Sequence, residues 1–332
     1  MIPTKQNSHV VSLLLANVIM ATLVVSVATP TLAAEIVEVR KIWDQPGHQS
    51  FFTDLIRFRG QWICTCREAA THISEDGRIR FIRSSDGEQW TSTAHIDCPP
   101  PNKDLRDPKL SITPDGQLML TATAYRPQPE CLSYVWFSDD ANKWSNAHLI
   151  GPPGEWLWRT EWHRGFAYNF GRSEKRHQYL QLYRSSDGKA FQPHGPRQFD
   201  GDRASETSPL FQQDDTCVTL LRRGGTAQIG ISRPPYFEWD WKDLGLRIGG
   251  PEMIQLPDGR FLATVRLYEP DEHPSLCWID PEAGTLDEFQ RLPSGGDTSY
   301  AGTVWHEGLV WISYYSSHEG KTSIYLAKIR VD

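Results

Sequence analysis

Residues 83–90 read RSSDGEQW, and residues 184–191 repeat the pattern as RSSDGKAF. In both, a β-like run ends in Ser-Ser-Asp-Gly and an aromatic residue follows three positions later. Asp-Gly after Ser makes a tight turn in which the Asp side chain bonds its own backbone, and the trailing Trp or Phe can plug between strands. A third version, SDDANKW, ends at Trp144, and a degenerate fourth, ISRPPYFEW, ends at Trp239. The aromatic residues at 90, 144, 191 and 239 are 54, 47 and 48 residues apart, a period that marks a repeated supersecondary unit.

Working outward from these markers, each unit contains a hairpin signal: FRGQW at Gly60, PDGQL at Gly116, HRGFA at Gly165, QDDTC at Asp215, PDGRF at Gly259 and HEGLV at Gly308. A third β-like run follows each hairpin, such as IRFIRSS, YLQLYRSS or SIYLAKI. Six such sheets are expected to pack radially as an all-β, six-bladed β-propeller, which buries both sheet faces and leaves few open edges. The run IVEVRKIWD near the N-terminus has no hairpin of its own and is expected to close the ring on the last blade.

The aligned units give a register for candidate site residues. Seven positions past each turn stand Arg67, Arg172, Arg222, Arg266 and Tyr315; the second unit departs, with Arg126 three residues later. At the start of each first strand stand Asp54, Arg106 and Asp107, Arg159, Glu206, Glu252 and Tyr300. The innermost strands of a propeller all start on one face, so both sets are expected to ring one funnel. Guanidinium groups grip carboxylate or sulfate in bidentate fashion, and the carboxylates and the Tyr suit proton transfer. The competing expectation is that these arginines tie neighbouring blades together. His72 and His318 follow second strands and fall on the funnel side, whereas His163 and His306 lie in WHRG and WHEG turns and are read as packing residues.

The chain has 332 residues with a net charge of −7 and a pI near 5.9, which argues against a nucleic-acid binder that relies on phosphate neutralisation. Pro 23, Gly 25 and Trp 13 suit short strands joined by turns. Residues 1–34 carry Lys5, an apolar run and the small-residue string TPTLAA; they are read as a signal peptide, with an uncleaved anchor as the alternative. The mature protein, 35–332, is then secreted or periplasmic, a single domain and a monomer. The six cysteines show no zinc spacing; Cys64 and Cys66 share a strand face, and Cys98 with Cys131 is the expected disulfide if one forms. No metal, cofactor or nucleic acid is implied, and the expected partner is a glycan.

The Ser-Asp-Gly-aromatic strings resemble the Asp-box of the sialidase and BNR-repeat superfamily, one residue shorter, and the resemblance extends over residues 36–332. SETSPLF with LLRRG is similar to the sialidase segment that carries a base Glu and a carboxylate-binding Arg. The resemblance therefore assigns those roles to Glu206 and to Arg222 or Arg223. EMIQLPDGRFLATVR likewise implies Arg266 as a carboxylate ligand, and DTSYAGTVWHEG implies Tyr300 as nucleophile. A phenol is a poor nucleophile at neutral pH unless a neighbour takes its proton, which a Glu can do. Where sialidases carry Arg-Ile-Pro, this chain has FFTDLIRF, so one arginine of the triad is replaced unless Arg67 reaches across. Asp107, Asp54 and Asp76 are candidates for the acid/base, with Asp107 preferred and Asp76 read as a turn residue. The resemblance implies an exo-acting hydrolase of an acidic sugar, sialic acid or a uronic acid; a lyase, a neutral-sugar glycosidase or a non-catalytic binding propeller are the alternatives on the same fold.

Overall fold

In a computed structural model, six antiparallel sheets are arranged around one axis. Besides Met1, the structure describes residues 34–99, 103–125, 130–173 and 179–332; the expected signal peptide and Arg126 lie outside these. Blade I runs from Gln49 to Ile96, blade II from Asp104 to Ile150, blade III from Glu155 to Asp200, blade IV from Thr207 to Asp243 and blade V from Gly249 to Arg291. Blade VI combines Thr298–His306, Leu309–Ser316 and Ser323–Val331 with the N-terminal strand Ala34–Trp43, which pairs antiparallel with the last strand of the chain. The strand containing IVEVRKIWD thus closes the ring, as its lack of a hairpin implied. Lys328 and Arg40 of this blade both reach Glu88 of blade I, adding ion pairs across the closure.

The turns that defined the repeat have the backbone their residues require. Gly60, Gly116, Gly165, Gly259 and Gly308 all have φ between 77° and 93°, and Asp215 takes the same place with φ 68°. Arg59, Arg164 and Glu307, each just before the glycine, are also left-handed, with φ 48–49°. Two successive positive φ values give the mirror-image two-residue turn that matches strand twist. Asp215 tolerates this conformation better than most residues, and its carboxylate is held by Arg164 Nε at 2.8 Å and His163 Nε2 at 2.7 Å.

In RSSDGEQW, Ser84 Oγ accepts from Gly87 N, and Asp86 Oδ1 accepts from Glu88 N and Gln89 N at 2.8 and 3.1 Å. These backbone donors hold the exposed Asp86 carboxyl down at about 2. The pattern recurs at Ser138/Asp140 and Ser185/Asp187. Asp280 repeats it without the serine or the aromatic, accepting from Glu282 N and Ala283 N.

Inner strands of adjacent blades touch all the way round, I to II through VI to I. Hydrophobic clusters fill the interfaces between blades: Phe81 with Trp136 between I and II, Val135 with Leu157 between II and III, and Leu180 with Cys217 between III and IV. Val218 with Val265 fills IV to V, Leu276 with Tyr325 fills V to VI, and Trp62 with Trp311 fills VI to I. The expected Cys98–Cys131 disulfide does not form. Cys98 packs on the cluster between blades I and II, whereas Cys131 belongs to the cluster of Trp156 and Trp158.

Candidate active site

At one height on the axis, five of the six inner strands lose register with their neighbours. The slips fall at Phe52, at Asp107–Pro108, at Trp158–Arg159, at Gly250–Pro251 and at Tyr300–Ala301. Phe52, Asp107, Gly250 and Tyr300 have φ of 48°, 51°, 51° and 50°. A β-bulge re-aims the side chain it carries, and a bulky non-glycine residue held at positive φ is strained backbone of the kind concentrated at functional sites. Blade IV has no bulge; its inner strand begins at Thr207, directly after Glu206, whose carbonyl accepts from Arg222 N at 2.9 Å.

These re-aimed side chains meet at Tyr300. Its hydroxyl donates to Glu206 Oε1 at 2.7 Å. Arg222 Nη1 donates to both Glu206 oxygens at 2.8 Å and lies 3.1 Å from the Tyr300 oxygen, and Gly250 N donates to Glu206 Oε2 at 3.1 Å. Burial alone would raise the Glu206 carboxyl, but Arg222 and Arg172 outweigh it and hold it at about 2. Burial and then the Glu206 charge push the Tyr300 phenol well above its ordinary value. The proton therefore rests on Tyr300, facing an ionised acceptor. Thr53 Oγ1 donates to the Tyr300 carbonyl at 2.7 Å and holds the strained backbone in place.

Asp107 is buried, and Trp158 Nε1 donates to its Oδ2 at 3.3 Å. Desolvation raises its carboxyl to about 6, opposed by Arg106, Lys109 and Arg172 and reinforced by the Glu206 charge. A carboxyl in that range can hold a proton for transfer near neutral pH. Phe52 and Trp158 turn their rings edge-on to Tyr300, with centroids 4.9 and 6.2 Å away.

The other candidates divide. Arg266 donates to Thr298 O and to Tyr268 Oη, and its charge acts on Tyr300 and Tyr315. Tyr315 donates to Asp297 Oδ1 at 2.8 Å, and Asp297 Oδ2 lies 2.6 Å from His72 Nδ1. Phe51 and Phe52 pack edge-on to both His72 and Tyr315. Arg106 bonds the His72 carbonyl, and Arg172 lies over the Trp156 ring. Arg67 is fully buried under Phe51 and Phe52 and donates to Asp104 Oδ1 at 2.6 Å, so it is spent on a carboxylate of blade II. Arg223 points to the blade edge, where it meets Asp202 and Asp243, which leaves Arg222 as the arginine beside Glu206. Asp54 accepts from Leu110 N at 2.7 Å and is paired with Arg159 and Lys109, away from the Tyr300 hydroxyl. Asp76 accepts from Ala70 N and Ser74 Oγ in a turn. His318 packs on Tyr325, toward the outside of blade VI.

Sequence reasoning missed Thr53 as a tether, Trp158 as a partner of Asp107, and Asp297. The bulges that bring them in depend on pairing across strands. DTSY did, however, place Asp297 three residues before Tyr300.

Neither a protein-family model nor a curated protein matches the sequence. Among solved structures, a Dyadobacter fermentans protein of unknown function superposes with a TM-score of 0.79 at 19% identity, covering 92% of this chain and 100% of the other. Trypanosoma rangeli sialidase in complex with the inhibitor DANA gives a TM-score of 0.68 at 10% identity, covering 89% of this chain and 59% of the sialidase. The chain carries the sialidase-type six-bladed propeller. A Fusarium graminearum α-L-arabinofuranosidase bound to an iminosugar inhibitor shares the architecture, with a TM-score of 0.69 at 13% identity over 89% of this chain and 98% of that one. The sialidase-type propeller of this chain thus spans about three fifths of the T. rangeli sialidase and nearly all of the arabinofuranosidase.

Proposed function

We propose that the protein is an exo-acting glycoside hydrolase that removes a terminal acidic sugar from glycans. In this reading Tyr300 is the nucleophile, Glu206 its base, and Asp107 the acid and then the base. The observation that carries it is the Tyr300–Glu206 hydrogen bond with Arg222 bridging both residues. Asp107 gives its proton to the leaving oxygen as the glycosidic C–O bond breaks. The Tyr300 oxygen bonds the anomeric carbon as its proton passes to Glu206. In the second half, Asp107 takes a proton from water, the water oxygen displaces the tyrosyl oxygen, and Glu206 returns the proton to Tyr300.

Arg222 and Arg266 are the groups offered to the sugar carboxylate. A substrate carboxylate that engages Arg222 weakens its hold on Glu206, so the base gains proton affinity when the substrate is bound. The enzyme acts outside the cytoplasm after loss of residues 1–34. A second reading, a glycosidase of neutral sugars, draws support from blade I, which presents Phe51 and Phe52 to the site, and from the likeness to the arabinofuranosidase. The deciding experiment is turnover of a fluorogenic sialoside beside a uronide and an arabinofuranoside. Release from either acidic glycoside, lost in Tyr300→Phe, supports the main reading. Release from the arabinofuranoside alone replaces it with the second, and silence on all three refutes both.

A further inference from the structure

Beside Tyr300 the rim of the site is formed by the loop that follows the second strand of blade I, and hydrogen bonds hold this loop in place. Asp76 accepts from Ala70 N at 3.0 Å, Thr71 Oγ1 donates to Ile73 O at 2.8 Å, Arg67 Nη1 donates to Thr71 O at 3.1 Å, and Arg106 Nη2 donates to the His72 carbonyl. What the loop presents is His72, whose side chain is 47% exposed. Its Nδ1 lies 2.6 Å from Asp297 Oδ2, and its ring stands edge-on to Phe51 and Phe52, 5.3 Å from each. Phe52 is in turn edge-on to Tyr300 at 4.9 Å, so one phenylalanine ring separates the imidazole from the proposed nucleophile.

The Asp297 contact fixes what the free edge of the ring can do. Burial would raise the Asp297 carboxyl, but His72, Tyr315 and Arg266 outweigh it and hold the carboxyl below its ordinary value. An ionised acceptor keeps a proton on His72 Nδ1, which sets the tautomer. Nε2 meets no partner among the described residues and is the atom left for a ligand. When the ring takes a second proton, Nε2 becomes a charged donor.

The other cations around His72 are committed. Arg67 and Arg106, which reach its loop through backbone carbonyls, are buried and share the Asp104 carboxylate, and Arg222 is bound to Glu206. Arg266 donates to Thr298 O and Tyr268 Oη, and it shares the Asp297 charge with His72. With His72 protonated, Arg266, His72 and Asp297 leave one positive charge for a single anion on the bound sugar. With His72 neutral they leave none.

We propose that His72 contacts the substrate, gripping the acidic group of the terminal sugar as an imidazolium held in position by Asp297, so that the preference for acidic over neutral sugars fades when His72 loses its charge. This rests on the exo-hydrolase reading above and deepens it by naming the group that makes acid recognition depend on pH. The effect is bounded: affinity falls by one factor and then levels off, whereas loss of a proton required for chemistry lowers the rate with each further unit of pH.

The test compares two pairs of ligands by calorimetry, methyl sialoside with its carboxamide and methyl glucuronide with methyl glucoside. The protein is the full-length Asp107→Asn, Tyr300→Phe double variant, which neither turns the ligands over nor carries the Asp107 titration. At about pH 5 at least one acid is expected to bind about ten- to a hundredfold more tightly than its neutral partner, the range for charge-assisted hydrogen bonds. That preference should shrink about tenfold by about pH 8, across the range where an imidazole discharges. Adding His72→Gln should leave a small preference that no longer varies with pH. Adding Asp297→Asn should move the fall to lower pH, because the imidazolium loses its countercharge, a shift that a packing role would not produce. A preference independent of pH, a pH-dependent preference that survives His72→Gln, or no preference for either acid at the lowest pH overturns the inference. If His72→Gln fails to fold, Asp297→Asn decides, and a fall that stays in place overturns the inference. Wild-type turnover of the fluorogenic glycosides reports on the hydrolase separately. The pH-dependent preference without turnover keeps His72 as an anion ligand and rejects the hydrolase, and turnover of an acidic glycoside with a pH-independent preference does the reverse.

Discussion

Tyr300 donates its phenol proton to Glu206 Oε1 over 2.7 Å although 94 residues separate them in the chain, and it does so from a backbone held at φ 50°. Three contacts maintain this arrangement: the bulge in the inner strand of blade VI, the Thr53 hydroxyl on the Tyr300 carbonyl, and Arg222 on both side chains. A phenol buried beside a carboxylate has little structural reason to be strained in this way, whereas a nucleophile that must face an anomeric carbon does.

Removing either partner should therefore abolish chemistry without unfolding the protein. Tyr300→Phe and Glu206→Gln are each expected to lower kcat by about a thousandfold or more on any cleaved glycoside, the scale of losing a nucleophile or its base. Both side chains are replaced by near-isosteres, so the circular dichroism spectrum should match wild type. Turnover retained within tenfold in Tyr300→Phe would remove Tyr300 from the mechanism.

Asp107 supplies the pH dependence. In the proposed mechanism its proton is needed for leaving-group departure, and it is lost through about pH 6, so kcat/KM is expected to fall about tenfold per unit above that point. In Asp107→Asn this fall should vanish, with a much smaller loss on aryl glycosides, whose leaving groups need no proton. The same carboxyl costs stability. Its folded value lies above that of an unfolded Asp, so the folded state keeps the proton between about pH 4 and 6. The associated stability is complete below about pH 4 and lost as the pH rises through 6. Asp107→Asn should therefore be more stable than wild type at pH 7.5 by up to about 3 kcal/mol and no more stable at pH 4. Asn also accepts positive φ readily. Equal thermal midpoints at pH 7.5 would count against a desolvated Asp107.

The propeller itself was legible because its signals are local. Asp-Gly turns, two-residue hairpins and alternating strands each occupy a few residues, and their 44- to 56-residue spacing is visible along the chain. The register behind Arg172, Arg222 and Arg266 was legible for the same reason: each pairs with the start of its own inner strand. What a given arginine does at that height was not. Arg67 shares the register yet is consumed by Asp104, because a neighbouring blade supplies the carboxylate. Asp54 and Asp107 stand at similar places in their strands, but only Asp107 sits on a bulge that turns it toward Tyr300. Asp54 is two residues past the bulge at Phe52 and enters the axial network instead.

Gly302 marks where blades VI and I meet at the axis. A methyl group there would collide with the backbone of Asp54 and Leu55, which cannot move aside as a flexible side chain could. Gly302→Ala is expected to cost about 3 kcal/mol or more, at the upper end of overpacking effects. Since Gly302 lies two residues from Tyr300, kcat of the folded fraction should also fall. An alanine variant with a wild-type melting temperature would show that the two strands separate more easily than their contact implies.

Below Tyr300 the axis holds a charge network: Arg159 bridges Asp54 and Glu252, and Lys109 Nζ lies 3.9 Å from Asp54. All four are buried, and burial together with the neighbouring Asp54 raises the Glu252 carboxyl despite Arg159. Removing the bridge strands two carboxylates away from water, so Arg159→Met is expected to lose about 3–5 kcal/mol at pH 7. Glu252→Gln keeps the shape and removes only a charge that burial already disfavours, and it should cost about 1 kcal/mol. The deficit of Arg159→Met should shrink as the pH falls and the stranded carboxyls take up protons. Urea titrations at pH 5 and pH 7 measure both. If Glu252→Gln proves as costly as Arg159→Met, the stability lies in the ionised pair itself; if neither matters, the propeller is held by its blade interfaces alone.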